Sequence, residues 1–312
     1  MSRRRDGSQV ATTRVMSCPA TVAVVGERSL LERGVRRLHD LERRWSRFLP
    51  RSEISVLNAA AGRPVRVSDE TVRLVEALVR AWHVTDGAFD PTLLGALVGL
   101  GYAASRDDST RRTSLPAGTA PRGAVTCIRV GGPAGIVVLP PGTTLDAGGL
   151  GKGLAADLVV EELLAAGARG ALVEIGGDLR VDGEPPDGDR GWTIDVTGPQ
   201  RVALTRVVLA SGAVATSSTR FRRWTTDRGA ERHHLVDPAT LRPCRTDVVS
   251  CTVVAGTAAW AEGFAKVGFV RAPDAARALW ERHDLAAMVV TEDGRCERTA
   301  TWARFDPTEA WA

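Results

Sequence analysis

The sequence predicts an α/β (α+β) protein of two interleaved lobes, with a mixed, largely antiparallel sheet flanked by helices. Three observations predict it. Helical periodicities and strand-like runs alternate along the chain without any repeating unit. The 312 residues, 44% hydrophobic and 25% charged, can form a substantial core near the size at which one core divides in two. Most strand-like runs gather in the C-terminal half, where short turns favour antiparallel neighbours.

Residues 1–14, MSRRRDGSQVATTR, are expected to be a disordered tail, with one folded domain over 15–312. TVAVVG near Thr21 reads as a strand. From Glu27 to Phe48, Leu31, Val35, Leu38, Leu41 and Trp45 recur on one helical face. PRSEISVLNAAAGRPVRVS reads as irregular, and Ser68 then caps a second helix with Glu70 and Thr71 in its first turn. DGAFDPTLLGALVGLGYA reads as a turn with short helical structure. The polar, Pro- and Gly-bearing segment 104–123 is the expected flexible loop.

Strands are expected around CIRV and IVVL, then a helix from about Lys152 to Ala166 that Gly167 stops. ALVEIGGDLRV, GWTIDVTG, RVALTRVVLASGAVAT, HHLVDP and DVVSCTVVAG read as β segments. TAAWAEGFAKVGFV and DAARALWERH read as helices, and AAMVVTEDGRCERTATWARF as a closing hairpin.

Composition excludes several classes. No apolar run approaches the roughly 18 residues of a membrane helix, and the basic N-terminus lacks a secretory apolar core. A cytoplasmic protein without a membrane anchor is expected. Five scattered cysteines with no CxxC pair argue against a disulfide framework or a thiolate zinc site. Net charge is +4, spread along the chain. Basic runs at Arg3 and Arg220 suit a solvated surface or a phosphate-bearing ligand site better than nucleic acid, which is not an expected partner. Only two of the 41 Lys and Arg residues are lysines, Lys152 and Lys266. A chain so biased keeps lysine where a compact point charge fits and a planar fork does not.

The chemistry-bearing stretch is TTLDAGGLGKGLAAD. Gly148, Gly149, Gly151 and Gly153 lie between Asp146 and an amphipathic helix with Leu154, Leu158, Val159 and Leu163 on its core side. A helix N-terminus with glycines can approach a phosphate closely, Lys152 adds charge, and Asp146 can accept from a ligand. A tight strand-to-helix turn without any ligand explains the glycines equally well. The run matches neither the Walker nor the Rossmann pattern. HHLVDPATLRPC, from His233 to Cys244, can be a Pro-locked hairpin. Glu262 and Lys266, four apart, read in isolation as a surface ion pair, although the surrounding alanines leave room for close packing.

Taken together, these pieces resemble the FAD:protein FMN transferases, or ApbE-like flavin transferases. The likeness runs in order through Val15-Met16, WSRFLPRSEISVLN, TDGAFDPT, LDAGGLGKGLAAD, LVEIGGDLRVDG, VATSS, HHLVDPATLRP and TAAWAEGFAKV. The resemblance implies a two-lobed fold with FAD, as substrate, in a cleft. It implies cleavage of the FAD pyrophosphate with Mg²⁺, transfer of FMN to a Thr or Ser of an acceptor flavoprotein, and release of AMP. By motif, Met16 and Phe48 would line the flavin or adenine, and Ala88, Phe89 and Asp90 another wall. Asp146, Lys152 and Val236 would contact FAD, and His234 would assist proton transfer.

The family's metal positions, usually Asp and Thr plus a backbone oxygen, fall on Glu262, Lys266 and Gly149. Glu262 can ligate Mg²⁺, whereas a protonated Lys266 cannot. Two outcomes follow from this departure: Lys266 replaces part of the metal's charge, or the site binds FAD with lost or merely hydrolytic activity.

Overall fold

The computed structural model describes residues 8–306 except 187, 189, 199, 201, 227 and 228. Its frame is an eight-stranded sheet in the order Ser8–Val15, Cys18–Val25, Gly170–Ile175, Asp178–Gly183, Gly212–Ser218, Val248–Ala255, Ala286–Thr291 and Cys296–Arg298. Every pairing in it is antiparallel, so the expected mixture is absent from these pairings. The strand VVSCTVVA is buried along its whole length because both faces of the sheet are covered there.

One face carries the helices Gly151–Ala165 and Ala258–Ala265, with Arg28–Trp45 beside the first on the strands Ser8–Val15 and Cys18–Val25, and Asp69–Val84 packed against the helices. The opposite face is covered by the hairpin of Trp192–Thr197 with Ala203–Leu209 and by Trp302 in a terminal 3₁₀ turn. WTIDVT alternates buried and exposed residues, as a strand covered on one side must.

Arg28–Trp45 buries Leu31, Leu38, Leu41 and Trp45, as its period predicts. Ser68 caps Asp69–Val84 by accepting from the Thr71 amide. Gly167, at φ +99, ends Gly151–Ala165 in the left-handed region.

Several expectations fail. Residues 8–14 form an edge strand rather than a tail, paired residue for residue with Cys18–Val25; residues 1–7, including the first basic run, lie outside the described residues. The stretch read as irregular contains the helix Glu53–Ala59, capped by Ser52. Gly151–Ala165 is not amphipathic in its first ten residues. All ten are buried, because the helix is sandwiched between the sheet, Arg28–Trp45 and Ala258–Ala265. Apart from these failures, segment 104–123 has no helix or strand, only an isolated bridge between Ala104 and Arg112, and it is tied to the body by Arg47–Thr113 and Arg14–Asp107 bonds.

Candidate active site

A single cavity is walled by separated parts of the chain. The turn joining the first two strands places Met16 and Ser17 at φ +51 and +59. A two-residue hairpin needs this left-handed pair to match strand twist, and Asn-Gly is its usual sequence. Here the Met16 N–H is held by Glu42 Oε1 at 2.7 Å. Among the described residues seven non-glycines have positive φ, and three of them (Met16, Ser17 and Arg222) line this cavity. Strain of this kind concentrates at functional sites.

Arg47 and the rings of Phe48 and Tyr102 form part of the wall, and Trp224 extends this ladder beyond it. The Arg47 guanidinium lies 4.3 Å from the Phe48 ring centroid and 4.6 Å from that of Tyr102, which stacks on Trp224 at 5.2 Å. Arg47 is fixed there by bonds to Thr113 Oγ1 and the Tyr102 carbonyl. Such a surface suits a flat aromatic ligand. Ala88 and Phe89 supply another wall. Asp90 also borders the cavity, but its Oδ1 accepts from the Thr92 N–H and hydroxyl at 2.8 and 2.6 Å, so it builds its own turn. Val236 is buried beside Leu93 and Leu97.

The glycine run is explained mainly by packing. Asp146 Oδ1 caps the turn Ala147–Gly149 by accepting from the Gly148 N–H at 2.9 Å, and lies 3.6 Å from Arg47 Nε. A Cβ on Gly149 would sit 2.8 Å from the Phe89 ring. One on Gly153 would sit 2.4 Å from the carbonyl oxygen of Ala258. Thus Gly153 lets the helix Ala258–Ala265 meet the central helix backbone to backbone. Asp157 locks that contact by accepting from the amides of Ala258 and Ala259 at 2.7 and 2.9 Å.

The contact brings five charged groups together. Lys152 Nζ reaches Asp178 Oδ2 at 2.5 Å and also bonds Glu262 Oε1. Lys266 Nζ lies 2.9 Å from the Glu262 carbonyl and 3.4 Å from its Oε1. Gly153 N–H donates to Glu262 Oε2 at 2.8 Å. Arg222 donates to Cys18 Sγ at 3.1 Å.

Burial opposes the charge on Lys152, but Asp178 and then Glu262 outweigh it and hold its pKa above the usual lysine value. Burial would likewise raise Glu262; Lys152 and Lys266 outweigh it and keep that carboxylate ionised. Burial lifts Asp178 to about 6 despite Lys152. For Lys266 burial prevails and lowers its pKa, with Glu262 opposing. His234 is pushed well below 6.5 by burial, then by Arg222, Lys266 and Lys152, so it is neutral at pH 7. Its Nδ1 is buried without a hydrogen-bond partner.

Of the twelve expected site residues, all but Glu262 line this cavity. Glu262 is fully buried behind it, holding the two lysines; the pair with Lys266 is no surface bridge. The expected Mg²⁺ ligands Gly149, Glu262 and Lys266 do not fit a divalent cation. Both Glu262 oxygens already receive donors, and Lys266 presents an ammonium where a ligand oxygen is needed. Among the described residues, no three His, Cys, Asp or Glu side chains gather so as to hold a metal.

Four participants were not foreseen: Arg47, Tyr102, Asp178 and Arg222. Asp178 stands in the LVEIGGDLRVDG motif, and Arg222 in the second basic run, whose Arg220 and Arg223 pair instead with Glu292 and Glu231.

The ApbE family model matches residues 16–289. An FAD:protein FMN transferase of Vibrio cholerae is 29% identical over 268 residues, spanning 83% of this chain and 79% of that protein. One from Haemophilus influenzae is 27% identical over 270 residues, spanning 82% and 77%. The crystal structure of the ApbE protein of Thermotoga maritima superposes with a TM-score of 0.84 at 26% identity, covering 96% of this chain and 99% of that one. The apo flavinyl transferase ApbE of Pseudomonas stutzeri gives 0.81 at 26%, covering 98% and 99%.

Proposed function

The chain belongs to the ApbE family, and from that premise we propose that it is an FAD:protein FMN transferase, moving FMN to a threonine or serine hydroxyl of an acceptor protein and releasing AMP. The observation that carries this reading is convergence: residues as far apart as Met16 and Lys266 line one cavity that combines an aromatic ladder with a cluster of fixed cations. That pairing suits a dinucleotide, which has flat rings joined by a diphosphate.

The reaction is a phosphoryl transfer, so positioning and charge neutralisation dominate it. The acceptor oxygen forms a bond to the phosphorus on the FMN side. The bond from that phosphorus to the bridging oxygen breaks, and AMP departs with the bridging oxygen. The hydroxyl proton goes to a base, for which His234 is the candidate, since it lines the cavity and is neutral. A base of this kind adds roughly 10²- to 10⁴-fold. In the free protein burial, and after it three cations, hold His234 a weak base; an arriving diphosphate offsets the cations' share and so strengthens it.

Met16, Phe48, Ala88, Phe89 and Val236 would exclude water around the rings, while Asp146 fixes the turn from which Lys152 projects. The five unpaired thiols suit a reducing, cytoplasmic compartment. No helix among the described residues is long and apolar enough to cross a membrane.

The test is incubation of the full chain with FAD and an acceptor carrying the target threonine, in parallel in EDTA and in excess Mg²⁺, followed by mass spectrometry. Acceptor gaining FMN, with AMP released, supports the reading. FMN and AMP without acceptor would make it a hydrolase, and bound FAD with neither product would make it a flavin binder. Asp146→Ala and Lys152→Met are each expected to weaken FAD binding; unchanged titrations in both would remove the cleft assignment.

A further inference from the structure

We propose that this chain holds and neutralises the diphosphate of FAD with three fixed side chains, Lys152, Lys266 and Arg222, in place of a divalent metal ion. The inference rests on the FAD reading of the cavity and is carried by how its charges are arranged.

Of the cations that line the cavity, Lys152, Lys266 and Arg222 cluster at one end, and two buried carboxylates behind it, Asp178 and Glu262, balance them. The carboxylates are already engaged. Glu262 receives Lys152 and Lys266 on one oxygen and the Gly153 amide on the other. Asp178 receives Lys152 on one oxygen and the Thr216 amide on the other. A divalent ion entering here would have to strip ammonium groups from a buried acid and would add charge to a set that is already net positive. Taking a partner from a buried ion strongly disfavours the arrangement.

An anion meets the opposite situation. Arg222 forms no ion pair with a carboxylate among the described residues; its hydrogen bond goes to the thiol of Cys18. A half-buried guanidinium that faces the cavity and, among those residues, bonds only a thiol leaves most of its fork open to a ligand, and a phosphate matches that fork with two parallel bonds. Lys152 and Lys266 add compact point charges beside it. With the two acids, the cations sum to one positive charge, and a diphosphate bearing two negatives brings the set close to neutral. Arg222 also keeps a left-handed backbone at φ +50, a conformation retained when the surroundings fix a side chain in place. The chain's only two lysines meet on one carboxylate although 114 positions separate them, which fits a requirement for ammonium groups at this point.

The experiment is FAD titration of the full chain, followed by flavin fluorescence and calorimetry, in excess EDTA and in excess Mg²⁺. Wild-type affinity is expected to agree within about threefold between the two buffers. Arg222→Gln and Lys266→Met, each checked for an unchanged melting profile, are expected to bind FAD roughly ten- to a hundredfold more weakly in EDTA, the loss of a charge-assisted bond. Lys266→Thr is expected to lose affinity in EDTA and regain part of it with Mg²⁺. Inorganic pyrophosphate in EDTA is expected to compete with FAD for the wild type and poorly for Arg222→Gln.

Wild-type binding that strengthens tenfold or more with Mg²⁺, or folded Arg222→Gln and Lys266→Met that bind like wild type, overturns the proposal. The two levels separate cleanly. FAD bound in EDTA without FMN transfer leaves the cation site standing and removes the transferase. Transfer that depends on Mg²⁺ for FAD binding does the reverse, and no FAD binding in either buffer removes both.

Discussion

Gly153→Ala gives the sharpest test of how the two central helices are joined. The added Cβ would lie 2.4 Å from the Ala258 carbonyl oxygen, 2.5 Å from its carbon and 2.7 Å from the Ala259 nitrogen. None of these is the end of a flexible side chain, so the backbones must part by about 1 Å to reach ordinary contact. The bonds spanning the joint are 2.7 and 2.9 Å from Asp157 to Ala258 and Ala259, and 2.8 Å from Gly153 to Glu262. Lengthened by that much, they leave hydrogen-bonding range. Overpacking costs ~1–3 kcal/mol, and a weakened charge-assisted bond ~1.5–3 kcal/mol. Alanine's helix propensity returns ~1 kcal/mol, for a net loss of roughly 1.5–5 kcal/mol. At ~2.1 cal/mol/K per residue, a chain of this length loses roughly 1.5 °C per kcal/mol, so Tm should fall by ~2–8 °C. Gly99→Ala, which would meet no atom within 4 Å, is the calorimetric control and should hold or raise Tm. A Gly153→Ala protein melting at or above wild type would refute the backbone-to-backbone contact.

Two further outcomes follow from the same region. Asp157→Asn keeps the shape but offers an N–H₂ group to one of two amide donors, and should lose ~1.5–3 kcal/mol in denaturant titration. Faster hydrogen exchange at Ala258 and Ala259 should accompany it, and unchanged exchange would contradict the cap. His234 supplies a pH signature. Its folded pKa lies below the unfolded 6.5, so the stability it contributes is complete above pH 6.5 and is lost as pH falls below that value. Asp178, raised to about 6, works oppositely: protonation favours the fold as pH falls from about 6 through the ordinary carboxylate range. The His234 contribution is therefore read as the difference between wild type and His234→Gln in thermal melts from neutral to mildly acidic pH; parallel curves would contradict it.

The elements legible in the sequence were those whose pattern one face alone decides. Leu31, Leu38, Leu41 and Trp45 declare a helix because only one side of it is buried, and Ser68 declares its neighbour's start. The central helix misled because its second buried face is made of Gly153, Ala155 and Ala156, residues too small to register as a hydrophobic stripe yet suited to a helix at close range. The edge strand SQVATTRV was hidden by its polar side chains, since what holds it is backbone pairing with Cys18–Val25. Motif order brought together every expected wall of the cavity, because those residues sit in turns or near the ends of elements whose own motif places them. It missed Arg47, Tyr102 and Arg222, whose positions depend on packing between distant segments.

The burial of Glu262 has a consequence that links stability to binding. An i, i+4 acid–lysine pair on an exposed helix contributes ~0.2–0.5 kcal/mol and leaves the partners free to move. Here the same spacing lies under the cavity, and the acid is gripped as well by Lys152 and by the Gly153 amide of the facing helix. The positions of both ammonium groups are therefore set by the joint that Gly153 and Asp157 maintain. A variant that loosens this joint should lose affinity for FAD even though neither residue needs to touch it, and the loss should scale with the fall in Tm across Gly153→Ala and Asp157→Asn. Were either variant to melt early yet bind FAD as wild type does, the lysines would have to hold their places by some other means, and the rigidity assigned to the charge cluster would be wrong.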